Sequence, residues 1–141
     1  MSEASRIADT ACICARMRRA AQRIKDFYDG ILAPAGVSSA QYGLLANLSR
    51  MEGCGTGELA RALGHEKSTL VRTLQPLLQA GYIEDRSPRA SRRRQLYLTP
   101  EGGCVVQQAT PLWKEAQRAM RSRLGEGNEQ LTAILSVFDG L

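Results

Sequence analysis

Residues Thr56 to Thr99 read TGELARALGHEKSTLVRTLQPLLQAGYIEDRSPRASRRRQLYLT, and their reading decides the fold. Leu59, Ala60 and Leu63 fall on one face of a short helix that Thr56 is placed to cap. Gly64 is suited to close that helix in the left-handed conformation. His65-Glu66-Lys67 leads into a second helix, Ser68 to Ala80, which Gly81 ends. Beyond it, Tyr82-Ile83-Glu84-Asp85 is a short extended run. Gln95-Leu96-Tyr97-Leu98-Thr99 alternates with period two, as a half-buried strand does. The loop between them contains Ser87-Pro88-Arg89-Ala90-Ser91. The segment is therefore a helix, a turn, a second helix and a small β-hairpin, or wing.

The second helix divides into two faces. Leu70, Leu74, Leu77 and Leu78 form the buried side, which turns Ser68, Thr69, Arg72 and Thr73 outward. Small hydroxyls permit close approach to base edges and phosphates, and one arginine can read guanine O6 and N7 through a bidentate bond. Pro76 removes a backbone donor just beyond this face, where a bend is expected. The plain alternative is a solvated helix face with an incidental arginine. The wing argues against it. Arg86, Arg89, Arg92, Arg93 and Arg94 crowd one loop with no acid among them, and like charges so placed repel unless an anion meets them. Arg89 and Arg92, nearest the tip, are the candidates to enter a minor groove. Thr56, Lys67 and Arg93 complete the candidate DNA-facing set. A loop that serves solubility alone is the competing account.

Outward from this segment, the chain is helical. Ile13, Met17, Ala20, Ile24, Phe27 and Ile31 recur at spacings of 4, 3, 4, 3 and 4, which predicts one long helix over residues 5–32. Ala33-Pro34-Ala35-Gly36 ends it. A long terminal helix of a small protein has few places to bury such a stripe, and a partner subunit is the natural one. Ser38 or Ser39 caps a helix from Ala40 to Met51 with Tyr42, Leu44, Leu45 and Leu48 on its apolar face, and Gly53-Cys54-Gly55 breaks it. Thr99 caps the next helix with Pro100 in its first position. Val105, Ala109, Leu112, Ala116 and Ala119 make its stripe, Trp113 and Met120 widen it, and Pro111 is expected to kink it. Gly125 and Gly127 set off a last helix carrying Leu131, Ile134, Leu135 and Phe138.

Composition limits the function classes. The chain has 141 residues, enough for one domain with a core, and a net charge of +5, which favours an anionic partner. No apolar run is long enough to cross a bilayer and no signal peptide is evident, so a cytoplasmic protein with reduced cysteines and no membrane partner is expected. No nucleophile is paired with a base, and there is neither a Gly-rich phosphate loop nor a motif of paired carboxylates. Neither an enzyme nor a cofactor is expected. Cys12-Ile13-Cys14 is no metal grip, because residues two apart on a helix point roughly 200° from each other. His65 is the only histidine and reads as a turn residue, and no metal site is expected.

The pattern Gln41-Tyr42-x-Leu44-Leu45, Glu58-Leu59-Ala60, Ser68-Thr69-x-x-Arg72, Leu77-x-x-x-Gly81-Tyr82-Ile83 and Leu96-x-Leu98-Thr99-x-x-Gly102 resembles the MarR family of bacterial transcription regulators. The resemblance runs along nearly the whole chain. It implies a mainly α fold with a β-hairpin wing: a winged helix-turn-helix over residues 37–99, and long N- and C-terminal dimerisation helices over residues 1–36 and 100–141. It implies a homodimer that binds double-stranded DNA at a pseudo-palindromic operator, with Ser68, Thr69 and Arg72 in the major groove and Arg92 as the wing arginine. It further implies a repressor released by a small-molecule effector, an aromatic or phenolic carboxylate or a lipophilic toxicant. Arg16, Arg19, Tyr28 and Trp113 are the candidate effector residues. The sequence departs from the family where an acid often precedes the wing arginine by two positions: here that residue is Ala90, so the usual Asp–Arg brace is absent.

Two other readings stand beside this one. Cys14, 27 residues before Gln41, resembles the reactive cysteine of the organic-hydroperoxide-sensing branch of the family, and Tyr28 resembles a tyrosine that contacts that thiol. Such chemistry needs a thiolate open to oxidant, and Arg18 is one turn from Cys14. The bland account is a cysteine packed as a small hydrophobe. The other reading is a winged-helix protein-interaction module that does not touch DNA.

Overall fold

The computed structural model describes residues 2–3, 12–89 and 91–141. Helix α1, Ile13–Leu32, follows the predicted stripe, and residues 5–11 of the expected helix lie outside the described residues. A 3-10 turn, Ala33–Ala35, ends it, and Gly36 at φ +76° returns its N–H to the Ala33 carbonyl. Helix α2, Ser39–Leu48, begins at a reciprocal cap: Ser38 Oγ accepts the Gln41 N–H while Gln41 Oε1 accepts the Ser38 N–H. It stops three residues before the expected Met51, because the Arg50 and Met51 amides turn back to the Asn47 and Leu48 carbonyls.

Helix α3 is Thr56–Leu63 and α4 is Lys67–Gln79. Thr56 is not the cap of α3 but its first helical residue. The extended residue before it is Gly55, whose N–H is met by Glu58 Oε1. Gly64 closes α3 at φ +66°, as its position predicts. α4 starts one residue earlier than expected, with Glu66 as its cap position, and stays continuous across Pro76. Strands β1, Ile83–Asp85, and β2, Leu96–Leu98, pair antiparallel with Ile83 opposite Leu98, Glu84 opposite Tyr97 and Asp85 opposite Leu96. Cys54 adds a one-residue bridge to the other edge of β2: Leu96 donates to the Cys54 carbonyl, and Gly53 donates to the Leu96 carbonyl. Helix α5, Pro100–Leu124, runs through Pro111, and α6, Gly127–Ser136, follows.

One core joins these elements. Leu32, Leu44, Leu45, Leu48, Leu59, Leu70, Leu74 and Leu96 have no exposed surface, and Val105 and Ala109 of α5 join them. At about 1.5–3 kcal/mol for each fully buried aliphatic side chain, this cluster outweighs any surface interaction in the chain. The N-terminus of α5 is locked to the hairpin base. Thr99 Oγ1 donates to the Gly81 carbonyl and accepts the Gly102 N–H. Gly102 lies so close to Tyr82 that an added Cβ would sit 2.1 Å from its carbonyl oxygen, so only glycine fits there.

Candidate functional site

The solvent side of α4 begins with Lys67 and Ser68 and continues through Arg72, Gln75 and Gln79, all exposed. The expected buried side is in place, with Leu70, Leu74 and Leu77 in the core and Leu78 half-buried. Thr69 and Thr73 are half-buried, and the Thr73 hydroxyl donates to the Thr69 carbonyl. Gln75 completes the row from Ser68 and Arg72. The spacing of 4 and then 3 could have singled it out beforehand, and its amide has the donor–acceptor pair that matches adenine.

Beside this face lies a polar cleft of about 180 Å³, lined by Thr56 and Gly57 at the start of α3, by Glu58 and Arg61, by Lys67, and by Arg92, Arg93 and Arg94 of the wing. Four of the predicted residues, Thr56, Lys67, Arg92 and Arg93, thus meet at one place. Five cations face one carboxylate there, and the backbone amides at the start of α3 add a positive pole. Arg61 carries no signal of this in the sequence, and Arg94 stands out there only as one of the arginines that crowd the wing loop. Arg61 is in the last turn of α3, and only the fold carries it to the wing. Arg89 sits on the exposed loop apart from this cleft.

Arg86 is held inside the wing. Its guanidinium forms an ion pair with Glu84 at 2.5 Å and stacks on the Tyr97 ring at 4.1 Å from the centroid. The Tyr97 hydroxyl in turn lies against Gly53, at φ +88°, where an added Cβ would be 3.0 Å away. Among the described residues no acid pairs with Arg89, Arg92 or Arg93. Ala90 lies outside the described residues. Asp85 Oδ1 accepts the N–H groups of Ser87 and Gln95 at 2.9 and 3.0 Å. Partial burial opposes its ionisation, but these bonds and the nearby Arg94 charge prevail and hold the carboxyl below its usual range.

A second concavity, of about 380 Å³, opens between α2 and α5, a size typical of small-molecule sites. Tyr42, Val106 and Trp113 supply aromatic and aliphatic surface, and Asn47, Arg50 and Thr110 supply polar groups. The Tyr42 and Trp113 rings lie 6.0 Å apart, and the Tyr42 hydroxyl shares a hydrogen bond with Thr110 Oγ1. Of the four candidate effector residues, Trp113 alone lines this crevice. Arg16 borders a shallow apolar groove with Ile13, Met17 and Ala20 on α1, and Arg19 is an exposed residue of the same helix. Tyr28 donates a hydrogen bond to Gln117, joining α1 to α5. Burial pushes its phenol up, and the Arg121 charge only partly offsets this. The cation that lines this crevice is Arg50, just past the end of α2.

All four cysteines are free thiols. Cys14 is exposed, and Arg18 donates to its Sγ at 3.6 Å. Burial pushes the Cys54 thiol up, with the Glu58 charge adding to it, which makes this cysteine a packing residue. His65 donates its backbone N–H to the Ala60 carbonyl and buries an unpartnered Nδ1 in the turn. Among the described residues no group of three His, Cys, Asp or Glu side chains could hold a metal ion, and no helix is long and apolar enough to cross a membrane.

Residues 35–94, the stretch that carries the α2–α4 helices and most of the wing, match the model of the MarR family. No curated protein matches the chain closely enough to count as a relative. Among solved structures, the transcriptional regulator MosR of M. tuberculosis in complex with DNA shares 27% identity over 92% of this chain and 97% of its own, with a TM-score of 0.77. The S. aureus MepR–DNA complex shares 24% identity over 92% and 98%, with a TM-score of 0.76. The repressor CouR bound to p-coumaroyl-CoA shares 22% over 92% of each chain, with a TM-score of 0.78. The last two speak to the fold alone. The winged-helix segment thus carries the pattern of the MarR family, and along more than nine-tenths of its length the chain is similar to the transcriptional regulator MosR.

Proposed function

We propose that the protein is a dimeric repressor that binds a pseudo-palindromic operator and leaves it when a small aromatic or phenolic carboxylate binds. The observation that carries this reading is the meeting of Thr56, Lys67, Arg92 and Arg93 in one cationic cleft beside the exposed row Ser68, Arg72 and Gln75. The cleft suits a phosphate, and the row suits base edges in the adjoining major groove. Arg89, out on the loop, is placed for the neighbouring minor groove. Thr69 and Thr73, half-buried, serve close approach more than reach.

Dimerisation is supported by α1, where Ile13 is 70% exposed and Met17, Ile24 and Phe27 about 40%, and by Ile134, Leu135, Val137 and Phe138 near the C-terminus. An apolar surface of this extent on both terminal segments calls for a partner. A second copy would also supply the second recognition helix that a two-fold operator needs. The crevice between α2 and α5 suits the effector: its rings offer faces for a planar ligand, and Arg50 offers a cation for a carboxylate. Such a ligand releases DNA only by favouring one spacing of the recognition helices over another.

Gel shifts with operator and unrelated duplexes test the reading. Arg72→Ala is expected to cost sequence preference, by about 1–3 kcal/mol at one base pair. Arg93→Ala should weaken all duplexes alike and reduce the salt slope by about one. Should both variants retain DNA like the wild type, or binding prove indifferent to salt, a protein-interaction module becomes the better account.

A second reading has its own observation, the Arg18 guanidinium on the exposed Cys14 thiol. It makes Cys14 the sensor of an organic hydroperoxide. Tyr28 is turned to Gln117 in this chain rather than to the thiol. A Cys14→Ser variant that leaves operator DNA on peroxide treatment as readily as the wild type removes this reading.

A further inference from the structure

The wing poses a physical problem that its arginines cannot solve. Only three residue pairs join β1 to β2, and the loop beyond them carries Arg89, Arg92, Arg93 and Arg94, whose charges repel one another. A loop so charged needs a neck that holds its two sides together. The Arg86 N–H donates to the Gln95 carbonyl at 2.9 Å, and just beyond this point a single oxygen, Asp85 Oδ1, takes the N–H of Ser87 from the outgoing side and that of Gln95 from the returning side. Farther out, Ser91 donates its N–H to the Pro88 carbonyl, accepts the Arg93 N–H at its Oγ and donates its hydroxyl to the Arg93 carbonyl. The three arginines that enter the cleft follow directly on this pair of staples.

We propose that Asp85 is a positioning residue for the wing: its carboxylate clamps both sides of the loop neck and so fixes Arg92, Arg93 and Arg94 over the cleft at the start of α3. The proposal rests on the DNA-binding reading for its purpose, though not for its geometry. It also explains how the wing keeps its form without an acid at position 90. An acid on a DNA-facing wing repels phosphate, so charge alone and positioning make opposite predictions for its removal. By charge alone, loss of Asp85 tightens DNA binding. By positioning, loss of the acceptor weakens it.

The test compares Asp85→Ala, which removes both charge and acceptor, with Asp85→Asn, which removes the charge and keeps an oxygen in place. Amide hydrogen exchange at Ser87 and Gln95 is measured on the DNA-free protein, and affinity for a random 30-base-pair duplex is measured by fluorescence anisotropy. Asp85→Ala is expected to lose protection at both amides and to bind about three- to tenfold more weakly, the scale of one or two lost hydrogen bonds. Asp85→Asn should keep the protection and bind at least as tightly as the wild type. The proposal is overturned if Asp85→Ala binds as well as the wild type or better, or if Asp85→Asn loses the same protection. An Asp85→Ala wing that unfolds beside an intact Asp85→Asn wing supports the clamp, and one that unfolds together with it overturns the clamp. Should the wild type fail to bind duplex at all, the DNA-binding reading falls, and the exchange data still decide the clamp.

Discussion

In α2, α3, α4 and β2, Leu44, Leu45, Leu48, Leu59, Leu70, Leu74 and Leu96 are wholly buried, whereas along the twenty residues of α1 Leu32 alone is buried and Ile13, Met17, Ile24 and Phe27 face solvent. The two regions have similar kinds of apolar residue and dispose of them differently. The winged-helix segment folds its leucines onto one another. The terminal helix keeps much of its stripe on a surface that the described residues leave partly uncovered. A region that closes its own core draws its stability from the chain, and one that leaves its stripe exposed draws it from association. Under the proposed function, that difference lets a rigid reading head be carried on a scaffold whose spacing a ligand alters.

The sharpest way to break the comparison is inside the closed core. Leu74→Ala, at a site with no exposed surface, should lower the unfolding free energy by about 2–5 kcal/mol in urea, and by the same amount at every protein concentration. The complementary change is Ile24→Glu on the exposed stripe. It should convert the proposed dimer to monomer in sedimentation, and remove any dependence of the urea midpoint on protein concentration, while near-ultraviolet dichroism of the core persists. If the stripe is only a solvated face, sedimentation will not change.

The smallest effect concerns the join between the two regions. Asp29 of α1 accepts the Ser39 N–H at the start of α2 at 2.7 Å and pairs with Lys25 at 2.8 Å. Partial burial works against its charge, but the Lys25 and Ser39 bonds prevail and lower its pKa below the usual carboxylate value. A carboxyl whose folded value is depressed stabilises the fold above its unfolded value, and that contribution is lost as pH falls through the folded one. Asp29→Ala should therefore cost about 1 kcal/mol near neutrality. The gap from the wild type should close as pH drops from about 5 to about 2, as urea titrations at each pH would show.

Much of this was legible beforehand where the signal is local. Ser38 with Gln41, Gly64, Thr99 with Pro100, and the stripe from Ile13 to Phe27 each declare a helix or its end within a few residues, because caps and periodicity act over one or two turns. The hairpin announced itself through the alternation of Gln95 to Thr99. Other features had no such signal. A one-residue bridge at Cys54 has no period, so the segment read only as a breaker. Thr56 looked like a cap because glycine offers no side chain to recognise, yet Gly55 holds that position. Arg50 lines the crevice between α2 and α5, and Arg16 and Arg19 do not, because α2 and not α1 forms one wall of it. The clamp at Asp85 depends on a carboxylate reaching an amide ten residues away, and charge counting marked that loop only as basic.

By itself, then, the sequence determined which segments are helical, most of their ends to within a few residues, which faces are apolar and that one loop concentrates positive charge. These are properties of short windows, governed by backbone sterics, capping and the 3.6-residue period. Only the tertiary structure decided that Thr56, Lys67, Arg61, Arg92, Arg93 and Arg94 surround one cleft, that Trp113 and Arg50 line one crevice while Tyr28 turns to Gln117, and that Arg86 is tied up within the wing. Such meetings depend on how helices cross and strands register over distances of tens of residues. Packing of the shared leucine core sets that geometry, and no local pattern in the chain encodes it.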